Sequence, residues 1–191
     1  IPLLRENPTK NALLFAADYY RYEKPIRRVK PVDPSSQQLP RIFTAGNPYP
    51  SLTVIFRREN LTNLFDEELL YLEDWHFWAV NPAVFDDCAV FPKLALGKIH
   101  IGQINKSGDQ YKNGEYRIIA ARKIAEFWGD RLGPVEHNNL AIQETIGSIQ
   151  MGEKKKWRTL FSIPASPSLY AKLLVYTFLY SFFKRLYPYR G

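Results

Sequence analysis

Apolar and polar positions along this chain fall into blocks of different period, and the blocks delimit elements. Residues 9–23, TKNALLFAADYYRYE, follow Asn7-Pro8. Asn7 suits an N-cap and Pro8 the first helical position, so a helix is expected from Pro8 to about Glu23. Residues 24–50 hold six prolines and no sustained period, which predicts an extended, basic arm or long loop. SLTVIFRRE (51–59) is β-branched and aromatic and reads as a strand.

Asn63 with Asp66 three positions on makes a capping pair and predicts a helix over 63–80, closed by Asn81-Pro82. At 100° per residue its buried face would hold Phe65, Leu69, Leu72 and His76, with Asp66, Glu67, Glu73 and Asp74 opposite. AVFDDCAVFPKLAL (83–96) is irregular or a short strand, and KIHIGQI (98–104) alternates as a strand does. EYRIIAARKIAEFW (115–128) lines Ile118, Ala121, Ala125 and Trp128 on one face, the strongest helical pattern in the chain. LAIQETIGSIQ (140–150) and KKWRTLFSI (155–163) flank Met151-Gly152-Glu153-Lys154 and predict a β-hairpin. Ser166-Pro167 opens a C-terminal helix to about Tyr187, free of charge from Leu173 to Phe183. Lys172 interrupts it short of the roughly 20 apolar residues a bilayer span needs, so no transmembrane span is expected.

Separated strands and helices in 191 residues predict one α+β domain. It would have three to four helices, a small, largely antiparallel sheet and a long Pro-rich arm. Residues 1–50 would carry the N-terminal helix and arm, and 51–191 the core.

Charge changes this picture most. The net charge is +7, but residues 59–90 hold eight acids and no base. Residues 1–58 are +6 and residues 91–191 are +9, so two basic arms flank an acidic centre. A core-facing helix with a solvated acidic face accounts for the block; a docking face for a basic partner or a Mg²⁺ site are the sharper readings.

The candidate chemistry is sparse. Glu73-Asp74-Trp75-His76 has the Glu-x-x-His spacing of di-iron ligands, but neither His100 nor His137 has a Glu three positions before it, which excludes that site. One Cys and three scattered His exclude zinc, and Cys88, flanked by Asp86 and Asp87, is expected to be an unreactive structural thiol. Glu144 followed by Glu153-Lys154-Lys155 loosely resembles the acid…Glu-x-Lys arrangement by which some nucleases hold Mg²⁺. With a single cysteine there is no disulfide framework, and an intracellular setting, cytoplasmic, nuclear or organellar, is expected.

The basic clusters carry the leading expectation. They are Arg27, Arg28 and Lys30; Arg57 and Arg58; and Lys154, Lys155, Lys156, Trp157 and Arg158. Tyr19, Tyr20, Tyr22 and Trp157 lie beside them. Cations neutralise phosphates and aromatic rings stack unpaired bases, so interleaving the two suits nucleic acid. The sequence thus points to a non-catalytic protein that binds nucleic acid or another polyanion and needs no cofactor. Two alternatives stand beside it: a Mg²⁺-dependent nuclease, and a structural subunit of a larger assembly gripping other proteins through its C-terminal helix and N-terminal arm.

Overall fold

Ala12-Leu13-Leu14-Phe15-Ala16-Ala17 is apolar at every position, and a strand covered on both faces needs that composition. The computed structural model describes residues 5–21, 24–36, 38–100, 109–153, 159 and 162–164, and makes this run the first half of strand β1, Ala12–Arg21. All six residues are at most 1% exposed. The helix expected over 8–23 is therefore corrected to a strand. A continuous apolar run fits a buried strand and a buried helix alike, and here tertiary pairing decides between them.

Three further strands pair with β1. β2 (Lys24–Val29) and β3 (Val54–Phe56) are antiparallel to it and share one edge, β3 along Ala12–Leu14 and β2 along Ala17–Arg21. β4 (Cys88–His100) runs parallel along the other edge. The sheet is thus mixed: two of its three pairings are antiparallel, yet the longest is parallel. The segments expected as irregular 83–96 and strand 98–104 merge into the 13-residue β4, and part of the expected Pro-rich loop is β2. Pro25 is tolerated because β2 is an edge strand.

Four helices complete a single α+β domain within the described residues: α1 (Leu39–Thr44), α2 (Glu73–Ala79), α3 (Gln110–Trp128) and α4 (Pro134–Gln150). The expected helix at 115–128 is present as α3, one turn longer, with Asp109 as N-cap accepting the Lys112 amide at 3.1 Å. α4 overturns the expected hairpin at 140–163. Its start is set by Pro134 in the first turn and by Glu136, whose carboxylate accepts the Gly133 amide at 3.1 Å. Ile142, Thr145 and Ile149 then recur at helical spacing despite their β-branched side chains. The C-terminal helix expected over 166–187 lies outside the described residues.

The acidic helix expected over 63–80 shrinks to α2. Asp66 Oδ1 accepts the Glu68 amide at 3.0 Å, a side-chain turn that competes with helix, and Leu72 takes the left-handed conformation (φ 58°) just before α2. Asn63 donates to the Val80 carbonyl at 2.6 Å rather than capping a helix at 63. The face assignment changes accordingly. Leu69 is buried and His76 partly so, but Phe65 is half exposed, stacked on Phe77 at 4.0 Å.

α2 is the anchor between helices and sheet. Trp75 and Trp78 are fully buried, and their indole N–H groups donate to the Phe43 and Tyr49 carbonyls at 2.7 Å each. Their rings join Leu14, Phe43, Tyr49, Val84, Phe85 and Ile124 in one core. α3 and α4 cross at two glycines. A Cβ on Gly147 would sit 2.5 Å from the Gly114 carbonyl oxygen, and one on Gly114 would sit 2.4 Å from the Gly147 oxygen. Beside the crossing, Arg117 donates to Gln143 at 2.7 Å, and Gln143 donates to the Ala45 carbonyl at 2.7 Å, linking both helices to the end of α1.

Gly147→Ala in a free helix would stabilise by roughly 0.5–1 kcal/mol. Here the new methyl meets backbone, which cannot swing aside, and overpacking of this kind costs roughly 1–3 kcal/mol. Gly147→Ala is expected to lower the urea midpoint, with the slope of the transition unchanged.

Candidate nucleic-acid interface

The free end of the sheet collects cations by ladder register. Beyond Ala17, β1 pairs Asp18 with Lys98 of β4 and with Arg28 of β2, Tyr19 with Arg27 and Ile99, and Tyr20 with His100. The apolar core stops at this point: Lys24, Arg27, Arg28, Lys93, Lys98 and His100 are all exposed, and Lys30 follows β2, also exposed. The Arg27 guanidinium lies 4.8 Å over the Tyr19 ring, and the Lys98 ammonium 5.3 Å from the centre of the Tyr20 ring. Tyr20 also stacks on His100 at 5.5 Å. One face of the sheet end thus pairs Arg27 with Tyr19, and the other gathers Lys98 and His100 about Tyr20.

The cations differ in what they already hold. Arg28 makes a two-pronged contact with Asp18 at 2.6 and 2.7 Å and donates to the Lys93 carbonyl at 2.9 Å, so it clasps β2, β1 and β4 together. The hydrogen bond from Arg28 holds the Asp18 carboxyl below its usual range. Arg57 is half-buried and donates to the backbone carbonyls of Lys10 and Pro8, at 2.9 Å each. Both Arg28 and Arg57 act on the fold itself. Arg27, Lys30 and Arg58 are exposed, but Arg58 lies after β3, on the opposite half of the β1 edge from β2. Lys154, Lys155, Lys156, Trp157 and Arg158 lie outside the described residues. Lys93 and Lys98 were not grouped with the N-terminal cations by sequence. The signal that links them is pairing between strands some eighty residues apart, and only the β-alternation of KIHIGQI hinted at it.

The acidic block is not a single site. Asp66 and Glu68 both accept from Lys123 of α3, at 2.7 and 2.8 Å. These bonds lower the Asp66 pKa and raise that of Lys123 to about 12. Asp87 pairs with Lys10 at 2.6 Å. Asp74, expected on an exposed face, is partly buried and accepts from the Asn47 side chain and the Ser51 and Trp75 amides. Burial pushes its carboxyl above the usual range, against those bonds. His76 is also partly buried; burial lowers its pKa, and its Nδ1 has no partner among the described residues.

Among the described residues, no three His, Cys, Asp or Glu side chains group closely enough to hold a metal ion. Glu144 sits mid-helix on α4 and accepts from Arg122 at 3.1 Å, so the hairpin that would have carried the acid…Glu-x-Lys arrangement is not there. Burial pushes the Cys88 thiol up to about 12, with Asp87 and Asp86 adding to it, which agrees with an unreactive thiol. A hollow lined by Phe15, Ala17, Val29, Lys30, Pro31, Pro48, Pro50 and Thr53 encloses about 10 Å³, room for about one water. No helix among the described residues is long and apolar enough to cross a membrane.

Two measurements separate cations and acids that hold the fold from those that do not. Arg57→Gln is expected to destabilise by about 1.5–3 kcal/mol, the range for hydrogen bonds to a charged group, in a denaturant titration. Arg58→Gln should leave the midpoint where it is. For Asp74 the sign is worked from linkage. Its folded pKa is raised, so the folded state binds the proton more tightly than the unfolded chain does. Its charge therefore costs stability as pH rises from the ordinary carboxylate value of 3.8 through the raised one. Asp74→Asn, which keeps an acceptor oxygen, is expected to raise thermal stability at neutral pH, and the gain should vanish on acidification below the carboxylate range.

No protein family, no curated protein and no solved structure matches this chain, so the geometry of the sheet end stands without a relative beside it.

Proposed function

We propose that this protein binds nucleic acid, or a polyanion like it, through the free end of its sheet, and that it does so as a binding module without catalysis of its own. One observation carries the reading: at the sheet end Lys98 stands exposed beside Tyr20 on one face and Arg27 beside Tyr19 on the other, on strands whose register is fixed by β1, with Lys93 exposed at the bulge of β4 and Lys30 exposed just after β2. The supporting physics is that of a rigid, positively charged platform. The ladder fixes where the cation-bearing backbone stands, and each phosphate neutralised releases a counterion. Tyr20 is partly exposed and offers a stacking surface, which favours single strands or unpaired RNA over duplex. Arg28 supports the reading indirectly, because its clasp on Asp18 cancels a carboxylate that would otherwise repel phosphate. The reading places the protein inside the cell, where nucleic acid is.

The test is a salt titration of binding to labelled single-stranded and duplex oligonucleotides. Each phosphate contact contributes about 0.7 on single strands to the slope of log K against log salt, so replacing Arg27, Lys93 and Lys98 together by Gln should flatten it by about 2. Tyr20→Ala is expected to weaken single-strand binding by about 1–3 kcal/mol, and duplex binding much less. Absence of binding at low salt, with the protein folded, would end this reading.

A further inference from the structure

Two exposed surfaces of opposite sign lie on this chain, and no ion pair joins them among the described residues. The first is the segment 64–70. Leu64 is 79%, Phe65 49% and Leu70 54% exposed, and Glu67 and Glu68 stand between them. Glu68 reaches Lys123 yet stays 81% exposed, and Glu67 makes no ion pair among the described residues. The second is the free end of the sheet. Ile26 is 49%, Leu94 49% and Leu96 42% exposed; Lys93 and Lys98 flank the two leucines along β4, and Arg27 follows Ile26 on β2 with its side chain on the other sheet face from Lys98, none of the three in an ion pair among the described residues.

These three apolar side chains share a structural cause. Each sits where the ladder to β1 skips: Ile26 between Arg27, opposite Tyr19, and Pro25, opposite Tyr20; Leu94 in the step from Phe91 to Ala95; Leu96 in the step from Ala95 to Gly97. Bulges re-aim side chains and twist an edge away from indiscriminate strand pairing. The sheet end is thus armed with apolar side chains but is a poor template for adding a strand. Its partner has to bring side chains rather than an edge.

We propose that the acidic, apolar segment 64–70 of one copy docks on the basic, apolar sheet end of a second copy. The occupant follows from sign. Two sheet ends repel each other, and so do two acidic segments, so the complementary contact between copies is segment on sheet. A foreign acidic or basic protein would satisfy one of the two surfaces; a second copy satisfies both. The contact joins unlike patches, so it closes into a ring or reciprocal pair if the geometry returns on itself, and otherwise propagates. The inference goes beyond nucleic-acid binding, uses the same sheet-end cations and so competes with it, and is tested on protein alone.

The experiment is analytical ultracentrifugation of the full chain, freed of nucleic acid as judged by its absorbance ratio, across a concentration series at low and high salt. The mass average is expected to rise above the monomer with concentration at low salt and to fall back at high salt, because exposed charges are screened. Glu67→Lys with Glu68→Lys should abolish association, and so should Lys93→Glu with Lys98→Glu. Mixing these two variants should restore it, since each then offers the charge the other lacks. Glu67→Lys alone leaves the Lys123 bridges intact and still reverses one charge. It serves in place of the double variant if that one fails to fold by circular dichroism. Similarly, Lys98→Glu serves for the sheet. A monomer under every condition overturns the proposal. So does association that survives either reversal, or a mixture that stays monomeric.

Discussion

The burial of β1 on both faces is the constraint on which the rest depends. Six consecutive residues, Ala12 to Ala17, lose essentially all contact with water. Each apolar side chain so buried contributes roughly 1.5–3 kcal/mol if it is the size of Leu or Phe, and every backbone N–H and C=O along the run must find a partner. The strand meets the second demand by taking β4 on one edge and dividing the other between β3 and β2. On the face of Ala12 and Leu14 it meets the first through the aromatic core around Trp75 and Trp78, whose indole N–H groups are themselves satisfied by carbonyls. On the other face Phe15 stacks on Phe91 at 5.1 Å.

The sheet end becomes polar for the same reason. Beyond Ala17 the apolar core has run out, while the ladder continues for four more residues of β1. A strand that leaves its core can carry charge, and its register brings cations from β2 and β4 to the same place. Those cations would repel one another; the Arg28–Asp18 contact and the rings of Tyr19 and Tyr20 take up part of that repulsion. The acidic block follows the opposite logic. Asp66 and Glu68 draw Lys123 and so pin irregular chain to α3, while Asp87 draws Lys10 and ties the approach to β4 to the approach to β1. What remains unpaired, Glu67 above all, faces outward.

Sequence legibility follows how local each cause is. α3 is readable from 115 because its period is local and Gly129 closes it; its first turn, capped by Asp109, reads as loop in the sequence. β3 is readable at its centre, but the strand expected over 51–59 contracts to Val54–Phe56 between 3-10 turns at Ser51–Thr53 and Arg58–Asn60. β1 is not, since an all-apolar run specifies burial without specifying a period. α4 is missed because Ile and Thr at 142, 145, 146 and 149 favour strand in isolation, while Pro134 and Glu136, which open a helix, lie well before them. The acidic segment fails as a helix at Leu72, whose left-handed backbone no pattern of charges reveals. At the candidate site, Arg27 and Lys30 stand out beside Tyr19 and Tyr20 in sequence. Lys93 and Lys98 join them only through long-range parallel pairing, and the hydrogen bonds of Arg57 to backbone carbonyls leave no trace in composition.

Arg28 and Arg27 show how neighbouring residues of one type come to differ. Both lie on an exposed edge strand, and alternation sends their side chains to opposite faces. One meets a carboxylate on the adjacent strand and a carbonyl freed by a bulge in the next, so it bonds three strands together. The other meets the face of a tyrosine, which attracts a cation but leaves its N–H groups free to donate. The same clasp that takes Arg28 out of play holds β4 against β1 at the bulge between Phe91 and Ala95, and so holds Lys93 where it is exposed. The free cations of this surface are positioned by one that is not free.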